Sequence, residues 1–110
     1  MSLSTHVLDT MYGCPAAGVK IILSMADKVI FEGLTDTDGR CPSLRALEIG
    51  GGKYRLSFGA GDYFRGRGIA LSEPAFLDVV NIDFGMIDGE VHYHVPLLVS
   101  PYAYSTYRGS

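Results

Sequence analysis

Three histidines, one arginine after a tight turn and a polar C-terminal stretch are the groups in this chain best equipped for chemistry. His92 and His94 flank Tyr93 in the β-prone run from Val91 to Val99. Residues two apart share one face of a strand, so both imidazoles are expected to point one way, with Val91, Tyr93 and Val95 on the opposite, buried side. Imidazole titrates near neutrality and so can take or give a proton at working pH. The pair has two other readings. It can be two hydrogen-bonded structural histidines, or the start of a zinc site, which needs at least one more ligand. His6 is the third histidine, in the short β-prone piece Thr5 to Leu8, and nothing around it marks a metal ligand. Arg40 follows the turn pair Asp38-Gly39, where a guanidinium is either a solvated charge or a planar donor array for an oxyanion. The stretch Tyr107, Arg108, Gly109, Ser110 follows an aromatic β-prone segment. If that end is held rather than frayed, its carboxylate is a fixed anion at neutral pH.

Strands must position these groups, because no long segment keeps a helical period with start and stop signals. Strand patterns recur at short spacing between Gly, Pro and Asp. Gly18 to Met25 alternates, with Val19, Ile21, Leu23 and Met25 on one face, and Val29 to Thr35 follows. Lys53 to Phe58 sets Tyr54, Leu56 and Phe58 against Lys53, Arg55 and Ser57. Phe76 to Phe84, Val91 to Val99 and Tyr102 to Tyr107 complete about seven or eight strands, the count of a β-sandwich. One short helix is expected around Asp62 to Gly68.

Composition narrows the classes of function. With 110 residues, 47% hydrophobic and 19% charged, the chain is expected to form one domain with its own core. A net charge of −3 argues against general affinity for nucleic-acid phosphates or an acidic membrane surface. The apolar run Val95 to Val99 is far shorter than the roughly 20 residues of a membrane span. The first residues carry no basic region followed by an apolar core, so a cytoplasmic protein is expected. Cys14 and Cys41 each precede a proline and read as free thiols. Gly50-Gly51-Gly52-Lys53 lacks the earlier glycine and following Ser or Thr of a phosphate loop, and Asp36-Thr37-Asp38-Gly39 lacks the later ligands of a calcium loop. The latter reads as a tight turn.

Taken together, four segments resemble the catalytic branch of the transthyretin-like family. They are Ser4-Thr5-His6-Val7-Leu8-Asp9-Thr10, Asp38-Gly39-Arg40, His92-Tyr93-His94-Val95-Pro96-Leu97-Leu98 and Tyr107-Arg108-Gly109-Ser110. Pro15-Ala16-Ala17-Gly18-Val19 also fits. The match runs in register over nearly the whole chain. The His-Tyr-His-Val-Pro and Tyr-Arg-Gly-Ser segments separate the hydrolases from the hormone carriers, whereas Ser100 to Thr106 is common to both branches. Leu71 to Asp78 and Gly85 to Glu90 depart from the pattern, which bears on loop shape and assembly.

The resemblance implies an all-β, transthyretin-like sandwich of two roughly four-stranded sheets with one short helix. It implies hydrolysis of 5-hydroxyisourate, in urate breakdown, to 2-oxo-4-hydroxy-4-carboxy-5-ureidoimidazoline by water attack on a cyclic amide carbonyl. His6, Arg40, His94 and Ser110 would be catalytic, with His94 handling water. His6, Arg40, Tyr107, Arg108 and Gly109 would bind substrate, and His92 would support the site from behind. No cofactor or metal is implied. The expected partners are a small purine-derived substrate and three further copies in a homotetramer with sites in a channel between dimers. The alternative is a carrier that binds a small aromatic ligand in that channel without catalysis.

Overall fold

The computed structural model describes residues 1–109. In chain order the elements are β1 (Ser2–Ser4), β2 (Val7–Asp9), β3 (Cys14–Pro15), β4 (Lys20–Met25), β5 (Lys28–Leu34), α1 (Pro42–Arg45), β6 (Gly52–Gly59), α2 (Ala60–Gly66), β7 (Val79–Met86), β8 (His92–His94), β9 (Leu97–Val99) and β10 (Tyr104–Thr106). They form the expected all-β arrangement of two four-stranded sheets, ordered β10-β9-β2-β3 and β5-β4-β6-β7, with β1 and β8 as a separate parallel pair. Alternation drives this packing. Leu3, Val7, Ile21, Leu23, Leu56, Phe58, Leu97 and Val99 are almost wholly buried. Removing each such side chain from water stabilises the fold by roughly 1.5–3 kcal/mol.

The expected run from Val91 to Val99 is two strands. Parallel β1–β8 pairing matches Ser2, Leu3 and Ser4 with His92, Tyr93 and His94, and parallel β2–β9 pairing matches Val7, Leu8 and Asp9 with Leu97, Leu98 and Val99. The ladder breaks at Pro96, which has no N–H to donate. The ribbon still runs on across the break, because Val95 N donates to Ser4 O at 2.9 Å and Leu97 N to His6 O at 3.0 Å. Tyr93 and Val95 are buried as expected, but Val91 is 81% exposed. It lies just outside β8, where only its carbonyl, accepting from Ser2 N at 3.0 Å, is tied to the ribbon.

Met25, expected on one face with Val19, Ile21 and Leu23, is not buried with them. The β4–β5 register shifts between Leu23 and Ser24, skipping Ile30, and Met25 sits at the rim with 37% exposure. The strand expected over Phe76 to Phe84 begins at Val79, leaving Phe76 exposed. The helix falls at Ala60–Gly66 and buries Tyr63 and Phe64. Tyr63 Oη donates to buried Asp9 Oδ2 at 2.7 Å, while Asp9 Oδ1 accepts from Met11 N and Tyr12 N. Burial first, then this carboxylate, push the Tyr63 phenol up to about 12, so it remains a donor. A second helical turn, α1, was not expected. Pro42 starts it and Leu44 anchors it in the core beside β1.

Candidate active site

Local turn chemistry brings Arg40 to His6. Asp36 Oδ1 accepts from Asp38 N at 2.9 Å and Arg40 N at 3.0 Å, and Gly39 N donates to Asp36 O at 2.9 Å. Gly39 has φ +75°, and a Cβ there would run into the Val7 carbonyl oxygen, so only glycine suits the turn. Gly39 O then accepts from Val7 N at 2.8 Å, and His6 and Arg40 face one another in an antiparallel bridge. His6 Nε2 lies 2.8 Å from Asp38 O. A carbonyl can only accept, so Nε2 carries the proton and, in the neutral ring, Nδ1 is left as an acceptor.

The β1–β8 ribbon brings His92 and His94 to the same end of the molecule. As expected, the two imidazoles share a face, and the group between them is Ser4. Its Oγ lies 2.8 Å from His92 Nε2 and 2.7 Å from His94 Nδ1, while Ser2 Oγ lies 2.6 Å from His92 Nδ1. Nε2 of His94 makes no hydrogen bond among the described residues. Burial, followed by the charge of Arg45, holds His92 below the usual imidazole range. His94 is also held below it, by burial first and then by Arg40, His92, His6 and Arg45. Both rings therefore favour the neutral form, which can accept a proton. A cavity of about 110 Å³ beside them is lined by Ser4, Thr5, Arg40, Cys41, Pro42 and Arg45. No three His, Cys, Asp or Glu side chains converge as metal ligands among the described residues.

The C-terminal stretch is held as far as it is described. Gly109 N donates to His94 O at 2.8 Å, and a Cβ on Gly109 would come within 2.5 Å of His94 Cδ2. A side chain there would displace the imidazole. Arg108 stacks on the Tyr93 ring at 4.0 Å and approaches Glu90 at 3.8 Å, while Tyr107 is largely exposed. Because Tyr93 points away from the histidine face, these two side chains are not gathered with His6, Arg40 and His94 within one chain. Ser110 lies outside the described residues. Sequence reasoning missed Ser2 and Ser4. Their Ser-x-Ser spacing carries the same two-residue period as His-x-His, but their partners lie 88 to 90 residues away.

The family model for the HIUase/Transthyretin family matches residues 3–109. The 5-hydroxyisourate hydrolase of Pseudomonas aeruginosa is 53% identical over 98% of this chain and 90% of its own. Among solved structures, Klebsiella pneumoniae 5-hydroxyisourate hydrolase superposes with a TM-score of 0.86 at 37% identity, covering all of both chains. Sea bream transthyretin, solved in complex with thyroxine, has the same TM-score at 29% identity, over 99% of this chain and 95% of that one. The fold is thus common to a hydrolase and a transthyretin solved with bound thyroxine. On the extent of these matches, the chain belongs to the HIUase/Transthyretin family.

Proposed function

We propose that the chain hydrolyses 5-hydroxyisourate in purine catabolism, opening a cyclic amide by attack of water on a ring carbonyl. The observation that carries this reading is the gathering of two histidines and an arginine at the broken parallel ribbon, with His94 kept neutral chiefly by burial. Hydrolysis needs a base for water and donors where oxyanion charge develops. Nε2 of His94 takes the proton from water. Arg40 directs its guanidinium N–H groups at the substrate's oxygens and at the oxyanion. His6, with Nε2 committed to Asp38 O, offers Nδ1 to a donor on the substrate. Gly109 keeps the His94 ring face open, and Ser110 stands as a further catalytic group. Tyr107 and Arg108 complete the site in an assembly of several copies.

That assembly is a homotetramer acting in the cytoplasm. Supporting it, β7 and β10 are each the outer strand of their sheet, and Val79, Tyr102, Tyr104 and Phe76 near them are exposed. Unpaired edges carrying apolar groups favour strand pairing between copies. No helix is long and apolar enough to cross a membrane among the described residues.

The test is the ultraviolet decay of 5-hydroxyisourate made freshly from urate, with wild type and His94→Ala. Fast decay with wild type and near-background decay with a folded His94→Ala protein are expected. Wild type that leaves the spontaneous rate unchanged would overturn the hydrolase reading.

A further inference from the structure

The serine between the two histidines has only one proton to give. Ser4 Oγ lies at hydrogen-bond distance from His92 Nε2 and His94 Nδ1 at once, at 2.8 and 2.7 Å. Ser4 Oγ has no other hydrogen-bond partner among the described residues, so its one proton is used only if Ser4 donates to one imidazole and accepts from the other. Ser2 Oγ, 2.6 Å from His92 Nδ1, extends the same constraint by one more link. Two neutral arrangements satisfy the whole chain with the Ser4 proton used inside it. In the first, Ser2 donates to His92 Nδ1, His92 Nε2–H donates to Ser4, and Ser4 donates to His94 Nδ1. The His94 proton then sits on Nε2, and the imidazole has no lone pair for water. In the second, every bond is reversed. His94 Nδ1–H donates to Ser4, Ser4 donates to His92 Nε2, and His92 Nδ1–H donates to Ser2. Of the two, this direction is the one that leaves Nε2 of His94 bare.

We infer that Ser4 is a positioning residue for the hydrolysis, setting through the Ser2–His92–Ser4–His94 chain the tautomer in which His94 Nε2 accepts a proton from water. The inference rests on the reading of His94 as the base. It gives His92 a task that its lack of a free nitrogen otherwise leaves open, since both of its ring nitrogens are occupied by serines. It also accounts for the placement of Ser4, which is only 7% exposed and pairs directly with His94 in the parallel register. When His94 takes the proton on Nε2, the Nδ1 proton remains directed at Ser4 Oγ, so the imidazolium keeps its orientation for returning a proton to the departing ring nitrogen. No atom is gained or lost along the chain, and no further reactant is required. Among the described residues, the charged and titratable groups facing His94 are Arg40, Arg45, His92 and His6. The partner that the described residues give His94 Nδ1 is Ser4 Oγ.

Nitrogen-15 spectra of histidine side chains in the wild-type protein at pH 8 test this directly. They are expected to show His94 protonated on Nδ1 and bare on Nε2, and a His94 carrying its proton on Nε2 would overturn the inference without any variant. In kinetics, Ser4→Ala is expected to lower kcat on the order of 10- to 100-fold with KM changed by about twofold or less, and to lose the Nδ1–H preference. Ser4→Thr, which keeps the hydroxyl, restores kcat to within about threefold of wild type. Ser2→Ala, where water can replace the hydroxyl, lowers kcat by about threefold or less. A Ser4→Ala protein with wild-type kcat while His94→Ala is inactive would sink the role of Ser4 alone. Activity retained in His94→Ala would sink the base assignment, and this inference with it.

Discussion

Two cross-strand polar pairs in this molecule have nearly the same geometry and opposite consequences. On β6 and β7, Arg55 and Asp83 stand opposite one another and join through two bonds, Nε–Oδ1 at 2.7 Å and Nη2–Oδ2 at 3.1 Å. On β1 and β8, Ser4 stands opposite His94 and joins it at 2.7 Å. The charged pair lies in an open depression of about 610 Å³, lined by Lys53, Tyr54 and Phe84 among others, against about 110 Å³ for the cavity at Ser4 and Arg40. Size alone would make that depression the active site. Its pair, however, is solvated on both sides, with side chains 50% and 69% exposed, and such a pair contributes little to stability or reactivity. The smaller histidine site is half-buried, so charge is disfavoured there and titration moves toward the form that can act as a base. Desolvation, more than volume or formal charge, separates a reactive cluster from a decorative one.

The contrast can be broken most sharply at Arg40. Replacing it by Lys removes the planar donor array but keeps the charge, and kcat/KM is expected to fall on the order of 10²- to 10³-fold. The same change at Arg55 should leave kcat/KM at the wild-type value in the same decay assay. Equal losses at both arginines would erase the distinction.

A smaller effect is expected one residue earlier, at Gly39. Its positive φ and the Val7 carbonyl leave no room for a side chain, so Gly39→Ala strains the turn that holds Arg40 against His6. Thermal unfolding should report a loss of at least about 1 kcal/mol. Activity at a temperature where the variant is folded should drop by about tenfold. An unchanged melting point would mean the turn tolerates a Cβ.

The pH dependence sharpens the comparison further. The folded His92 and His94 lie below the usual imidazole value of 6.5, whereas the unfolded chain binds protons near it. Their contribution to stability is therefore complete above about pH 6.5 and is lost as pH falls through the folded values. The acid limb of kcat/KM should likewise fall below 6.5. Asp83 is lowered from its ordinary 3.8, chiefly by its hydrogen bond to Arg55, so the charged pair has its own window, below about pH 4. Melting temperatures taken from pH 5 to 8 should flatten in a His92→Gln, His94→Gln double variant and keep their slope in Asp83→Asn. A slope that follows Asp83 in that range would reverse the assignment.

The smallest change is expected from removing the charged pair itself. Arg55→Ala should leave activity intact and lower the melting point only slightly, with the difference shrinking as salt rises. A large, salt-insensitive loss would show that the outer depression has a structural role its exposure conceals.

Much of this architecture was legible without coordinates. Tyr54, Leu56 and Phe58 announced their buried face by simple alternation, and His92 and His94 announced their common face by the same rule. Asp38-Gly39 marked a turn, as its φ demands. Errors gathered where local period met a sheet boundary or an irregular register. Met25 continued an alternating run but sat where β4–β5 pairing slips past Ile30. Val91 continued another but fell just outside β8. Pro96 was visible inside the run it interrupts, and its missing N–H is the reason β8 and β9 are separate strands.

The sequence by itself determined which side chains share a face, where the tight turns fall and which residue types are present to move a proton, because these follow from backbone period and side-chain chemistry. Only the tertiary structure decided that Ser2 and Ser4 meet His92 and His94, that Gly109 lies against the His94 ring, and that the histidines rather than Arg55 and Asp83 are desolvated. Parallel pairing across some ninety residues is set by how the whole core closes, and no local pattern in either strand records its register.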